Sequence, residues 1–208
     1  MSRKRSEGAR VAYFGGSFDP VHLGHLSVAE DLLRSVPLDE LVFLPAGRSP
    51  FKPDGTVAST GDRLAMLLLA VAGEARYSVD PRELERAGPS YTADTMSEIA
   101  GERPEDELFF VIGRDNLEAL PRWRDIERLA RVVEFLVAGR DGAATEREIA
   151  ALPDFIRARA VATRLHPASS TTIRTRLESG RDVSAFLPAA VDRYARSRRI
   201  YSPAPPRR

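Results

Sequence analysis

The chain has 208 residues, 43% of them apolar and 29% charged, a balance that suits a globular fold with a real core. Its 31 Lys and Arg stand against 30 Asp and Glu, and the net charge of +1 gives no broad basic field for nucleic acid or an acidic membrane. Cysteine is absent, which excludes disulfides, thiolate zinc sites and a cysteine nucleophile, and suits a cytoplasmic protein.

Residues 1–10 are polar and basic and read as a solvated, flexible end; 202–208, with three prolines, read the same way. No apolar stretch of signal-peptide length follows the first ten residues, and no run has membrane-spanning length. Val11 to Phe14 predicts a first strand, and Leu23 to Arg34 a helix with Leu26, Ala29 and Leu33 on one face. Leu41 to Leu44 predicts a second strand, closed by Pro45. Ala46 to Gly61 is a Pro- and Gly-rich loop, long enough to suggest function and expected to order on binding. Asp62 to Ala72 predicts a helix with Leu64, Leu67, Leu68 and Val71 facing the core. A short strand is expected at Tyr77 to Val79, and a helix at Thr92 to Glu102 with Thr92 as its cap. Leu108 to Ile112, Val132 to Ala138 and Arg159 to Leu165 predict three more strands, Thr171 to Ser179 and Pro188 to Arg196 two more helices. This alternation predicts an α/β fold: a doubly wound, Rossmann-like parallel sheet with helices on both faces, one domain over 1–208. In such a sheet ligands sit at the carboxyl ends of the strands, where the strand order reverses.

The loop after the first strand reads Gly15-Gly16-Ser17-Phe18-Asp19-Pro20-Val21-His22-Leu23-Gly24-His25-Leu26. Two glycines allow a tight turn that offers bare N–H groups, and the next helix aims its positive end at the same place. The pattern is neither a dinucleotide fingerprint nor a Walker phosphate loop. If a helix starts near His22, the rings of His22 and His25 lie about one turn apart and can both donate to a phosphate. A zinc pair is the weaker reading, since no carboxylate or cysteine stands at metal spacing. Asp19 beside Pro20 reads as a turn residue or an outer-shell partner. His166 has no motif around it and reads as surface structure.

This string resembles the [HT]-x-G-H adenylyl- and cytidylyltransferase superfamily, and among its members the bacterial nicotinate-nucleotide adenylyltransferases. The likeness runs from about Val11 to Tyr201. Ser49-Pro50-Phe51-Lys52-Pro53 resembles the family's P-P-H-K loop, with Ser49 and Phe51 replacing Pro and His. Ser90-Tyr91-Thr92-Ala93-Asp94-Thr95 is similar to the S-Y-T-x-D-T segment that meets the pyridine nucleotide. Gly113, Asp115 and Trp123 match F-[IV]-x-G-x-D-x-x-x-x-L-x-x-W, and Ser170, Thr171 and Arg174 match I-S-S-T-x-I-R. Where the family often places an aromatic after the Trp, Arg124 stands here.

The resemblance implies that ATP and nicotinate mononucleotide are joined to give nicotinate adenine dinucleotide and pyrophosphate, with Mg²⁺ carried on the ATP phosphates. It implies catalytic roles for His22, His25, Lys52 and Arg174. ATP would be held by Gly15, Gly16, Ser17, Phe18, His22, His25, Gly113, Asp115, Arg140, Ser170, Thr171 and Arg174. The mononucleotide would be held by Ser17, Lys52, Tyr91, Thr92, Trp123 and Arg124. Read from the residues alone, Lys52 is a solvated loop lysine, Thr92 and Asp115 are caps and Trp123 is core, so both readings stand at these positions. Nicotinamide mononucleotide or another phosphorylated acceptor, a catalytically inactive nucleotide sensor, and a homo-oligomer also remain open.

Overall fold

The computed structural model describes residues 8–47, 55–164 and 166–202. Six strands form one parallel sheet: β1 (Arg10–Gly16), β2 (Glu40–Pro45), β3 (Tyr77–Val79), β4 (Glu107–Gly113), β5 (Glu134–Gly139) and β6 (Ala158–Ala162). Their order is β3-β2-β1-β4-β5-β6, all pairs parallel. This is the doubly wound arrangement that the alternation of apolar runs predicts, and its order reverses between β1 and β4.

Side chains alternate across the sheet, and each face has its own core. Ala12, Leu41, Phe43, Phe109, Val111 and Leu136 point to one face. There they meet α1 (Leu23–Ser35), α2 (Thr60–Val71), α7 (Ser170–Glu178) and α8 (Ala189–Ser197). Val11, Tyr13, Val42, Leu44, Leu108, Phe110 and Ile112 point to the other face, against α4 (Thr92–Glu102) and α5 (Ile126–Val132). Strands buried on both sides read as continuous apolar runs, which is why they were visible in the sequence.

The helices deviate more from expectation. In α2 the buried residues are Arg63, Met66, Leu67 and Val71, while Leu68 is 52% exposed. The stripe is rotated because the first turn of α2 faces buried polar groups, described below, rather than apolar core. Ser59 caps α2, its hydroxyl accepting from the Asp62 N–H. Tyr91 holds the cap position of α4, so Thr92 is its first helical residue. Ser169 caps α7, its hydroxyl accepting from the Thr172 N–H, so the helix begins at Ser170, one residue before the expected Thr171. Three helices were not foreseen: α3 (Arg82–Glu85), α5 and α6 (Gly142–Ile149). The α5 helix takes Val132 from the expected strand, so β5 begins at Glu134. β6 ends at Ala162, short of the expected Leu165.

Candidate active site

All six strands run the same way, so the loops after them gather at one edge of the sheet. β1 leaves the sheet at Gly16, opposite Pro45 of β2. A Cβ on Gly15 would meet the Phe110 ring at 2.9 Å, and one on Gly16 the Phe18 ring at 2.8 Å. Packing against the protein's own aromatic rings therefore demands both glycines, a reason the sequence did not disclose. Phe18, in left-handed backbone with φ of 46°, turns its ring into the core. It meets Phe14 and Phe43 edge-on and comes within 5.0 Å of the His25 ring.

His22 takes the cap position of α1, and the His22 and His25 rings are stacked, their centres 3.7 Å apart. The His22 backbone N–H donates to Nδ1 of His25 at 3.2 Å. An accepting Nδ1 leaves the His25 proton on Nε2. His22 is 7% exposed, and its buried Nδ1 has no partner. Burial, and secondarily repulsion from His166, lowers its pKa to about 4. Without ligand His22 is thus neutral, as the positive end of α1 favours. A Cβ on Gly24 would crowd the His22 ring at 3.0 Å and the Ala168 carbonyl at 3.4 Å. His166 is half-buried, and its Nδ1 accepts from the Ala168 N–H.

The start of α7 closes over this loop. The Ser170 hydroxyl donates to the Pro20 carbonyl at 3.1 Å. Arg174 Nη1 donates to the Asp19 carbonyl at 2.8 Å, and Nη2 to the Thr171 hydroxyl at 3.3 Å. Asp19 is buried and acts as a structural hub. Its carboxylate accepts from the backbone N–H groups of Val57 and Ala58 and from the Tyr201 hydroxyl at 2.8 Å. Burial first, then the Asp19 charge, pushes the Tyr201 hydroxyl well above its ordinary range. Below lies Arg63, 1% exposed, whose Nη1 donates to the carbonyls of Ser17 and Ala46 and so ties the loops after β1 and β2 together. Arg63 and Tyr201 were missed in the sequence because neither carries a local motif.

Beside the point of strand reversal, Gly113, Asp115 and Arg140 line a cavity of about 1230 Å³ at the ends of β4 and β5. Asp115 is exposed and lies in a short 3₁₀ turn whose cap is Gly113, so Asp115 itself is no cap. Arg114 and Glu148 form an ion pair on the wall of this cavity.

Tyr91, Thr92, Trp123 and Arg124 form a rim further along the same edge. Trp123 is half-buried, packs against the core of this face, edge-on to Phe110 at 6.2 Å, and lines a hollow of about 600 Å³ with Asp125, Ile126 and Arg128. The Arg124 guanidinium lies 4.1 Å from the centre of the Tyr91 ring. Under this rim, buried Glu83 accepts from the Thr95 hydroxyl, which accepts in turn from Arg86. Burial raises the Glu83 carboxyl, and the Thr95 hydroxyl, the Arg86 charge and the Gly47 N–H partly offset the rise. Lys52, with Ser49 and Phe51, lies outside the described residues. Direct contacts thus hold the histidine loop to α7 and Tyr91 to Arg124. The Phe110 ring stands edge-on to Trp123 at 6.2 Å and 2.9 Å from where a Cβ on Gly15 would lie.

The cytidylyltransferase-like family model matches residues 13–176. The chain is 39% identical over 206 residues to a protein of Synechococcus sp. (strain JA-3-3Ab), covering 97% of this chain and 99% of that one. It is 39% identical over 199 residues to one of Gemmatimonas aurantiaca, covering 94% of each. Both carry the name "Probable nicotinate-nucleotide adenylyltransferase". The fold is also that of Plasmodium falciparum nicotinic acid mononucleotide adenylyltransferase complexed with NaAD, with a TM-score of 0.74 at 16% identity over 93% of this chain and 97% of that one. The chain belongs to the cytidylyltransferase-like family and, within it, to the nicotinate-nucleotide adenylyltransferases.

Proposed function

We propose that this protein joins ATP to nicotinate mononucleotide, giving nicotinate adenine dinucleotide and pyrophosphate in NAD biosynthesis. The observation that carries the reading is the stacked pair His22 and His25 at the start of α1, with Arg174 of α7 bound to the same loop. A 5′-phosphate oxygen of the mononucleotide attacks the α-phosphorus of ATP in line. The bond from that phosphorus to the bridging oxygen breaks, and pyrophosphate leaves. The nucleophile is already an anion, so no general base is needed. The work lies in holding two polyanions together and neutralising the charge that builds on the α-phosphate and the leaving group.

In this reading His25 Nε2–H and His22 donate to the α-phosphate. Ser170, Thr171 and Arg174 hold the outer phosphates, and Lys52 reaches phosphate as well. Gly15 to Phe18 follow the nucleotide backbone. Gly113, Asp115 and Arg140 take the adenosine, and Tyr91, Thr92, Trp123 and Arg124 the pyridine. Mg²⁺ enters as part of the ATP substrate and screens its phosphates. The donor set fits a phosphate-borne ion, because the Asp19 carboxylate is already used by three protein donors.

The test is pyrophosphate release from ATP and Mg²⁺ with nicotinate mononucleotide, nicotinamide mononucleotide and phosphopantetheine offered in parallel. Turnover favouring nicotinate mononucleotide is expected. Preference for another acceptor would overturn the assignments at Thr92 and Trp123, and silence with all three would bring forward a nucleotide sensor.

A further inference from the structure

Arg63 lies on the buried face of α2, 1% exposed, with Met66 and Leu67 on the turn after it. An apolar residue would fill that place at less cost, because burying a cation is expensive. The cost is visible: Nε is buried without a partner, and burial holds the guanidinium below its ordinary range despite the Asp19 charge nearby. In return Nη1 holds two backbone carbonyls, Ser17 at 2.7 Å and Ala46 at 2.8 Å. The two peptides differ at their other ends. The N–H of the Ala46–Gly47 peptide donates to Glu83, so that peptide is held on both sides. The Ser17–Phe18 peptide is held at its carbonyl, and its N–H meets no acceptor among the described residues.

A trans peptide places its N–H opposite its C=O, so the Phe18 N–H points away from Arg63. Phe18 has a φ of 46°, a left-handed conformation that a residue with a Cβ adopts reluctantly. Turning the peptide over would bring that angle to about −130°, in the broad β region open to any residue. It would also present a carbonyl where an N–H now stands. The local preference of the loop thus runs against the orientation observed, and Arg63 opposes it from within. We propose that Arg63 is a positioning residue for the transfer reaction: it holds the Ser17–Phe18 peptide so that the Phe18 N–H, and not the Ser17 carbonyl, faces a phosphate of the bound nucleotide. The inference rests on the adenylyltransferase reading above and deepens it. A donor fixed before the substrate arrives needs no reorientation as charge builds on the phosphate, whereas a carbonyl there would repel it.

The experiment compares kcat and KM for pyrophosphate release in wild type, Arg63→Met, Arg63→Lys and Met66→Ala, at a temperature where circular dichroism shows each of them folded. Arg63→Met should lower kcat by about 30-fold or more, with KM for ATP and for the mononucleotide moved by about threefold or less. Arg63→Lys should recover part of the loss, because an ammonium can still donate to a carbonyl. Met66→Ala opens a cavity on the same face of α2 without touching the peptide, so its kcat should stay within about twofold of wild type. The Phe18 amide, followed by NMR, should shift on adding Mg²⁺ and ATP to wild type and stay still in Arg63→Met. A loss of kcat no larger in Arg63→Met than in Met66→Ala, or a Phe18 amide that responds in Arg63→Met as in wild type, would overturn the proposal while the adenylyltransferase reading stands. If Arg63→Met does not fold, Arg63→Lys decides by the same two readouts: they should fall together, and a fall in one without the other would overturn the proposal. A wild type that releases no pyrophosphate with any acceptor would overturn both.

Discussion

At one end of the site His22 is 7% exposed, His25 is stacked on it, and Arg174 is bound to the Asp19 carbonyl. At the other end Arg124 is exposed and leans on a single ring. On the function proposed above, the difference follows from what each end handles. Charge shifts at the phosphates during the reaction, so donors there must be fixed beforehand; any slack would be felt in turnover. On the same reading the pyridine ring stays unchanged while bonds are exchanged, so its end of the site needs no such fixing.

The comparison breaks if either end behaves like the other. His25→Ala should cut kcat by roughly 10²–10³-fold with KM for the mononucleotide little moved. An equal loss in both would deny it a role in the transition state. Arg174→Ala should lower kcat/KM for ATP by roughly 100-fold, with partial recovery in Arg174→Lys and no change in acceptor preference. A changed preference would mean that the two ends are coupled.

Acid should act through His22. Its pKa is about 4 in the folded protein against 6.5 in the unfolded chain. Between those values the unfolded chain binds the extra proton, so stability is full above pH 6.5 and falls on acidification toward pH 4, by up to ~3 kcal/mol. Urea midpoints at pH 4.5 and 7 should therefore differ more in wild type than in His22→Gln, and equal differences would rule the mechanism out. Tyr201→Phe deletes one donor to Asp19 and should cost ~1 kcal/mol in urea unfolding, with acceptor preference unmoved.

The strands and the histidine loop were legible because their signals are local: apolar runs such as Phe109 to Ile112, and two histidines beside two glycines. The α6 helix was not, since it is short and buries a single residue, Thr145. The α5 helix carries Ile126, Leu129 and Ala130 at helical spacing, but over seven residues that pattern blends into the strand behind it. The supports of the site were the least legible. Arg63 falls in an amphipathic stretch where a charge reads as solvent-facing, yet it is 1% exposed because it serves two carbonyls on other loops. What a sequence hides is mostly this kind of group, whose partners are distant and whose function is to hold something else.

The bonds that hold α7 to the histidine loop span long stretches of chain: 150 residues from Ser170 to Pro20 and 155 from Arg174 to Asp19. Closing such separations is slow and entropically costly, and it comes after the local elements have formed. A half-folded chain therefore offers nucleotide nothing to grip. Bound nucleotide will be a brake on unfolding rather than a template for folding: it should lengthen the lifetime of the finished protein and leave its rate of formation unchanged.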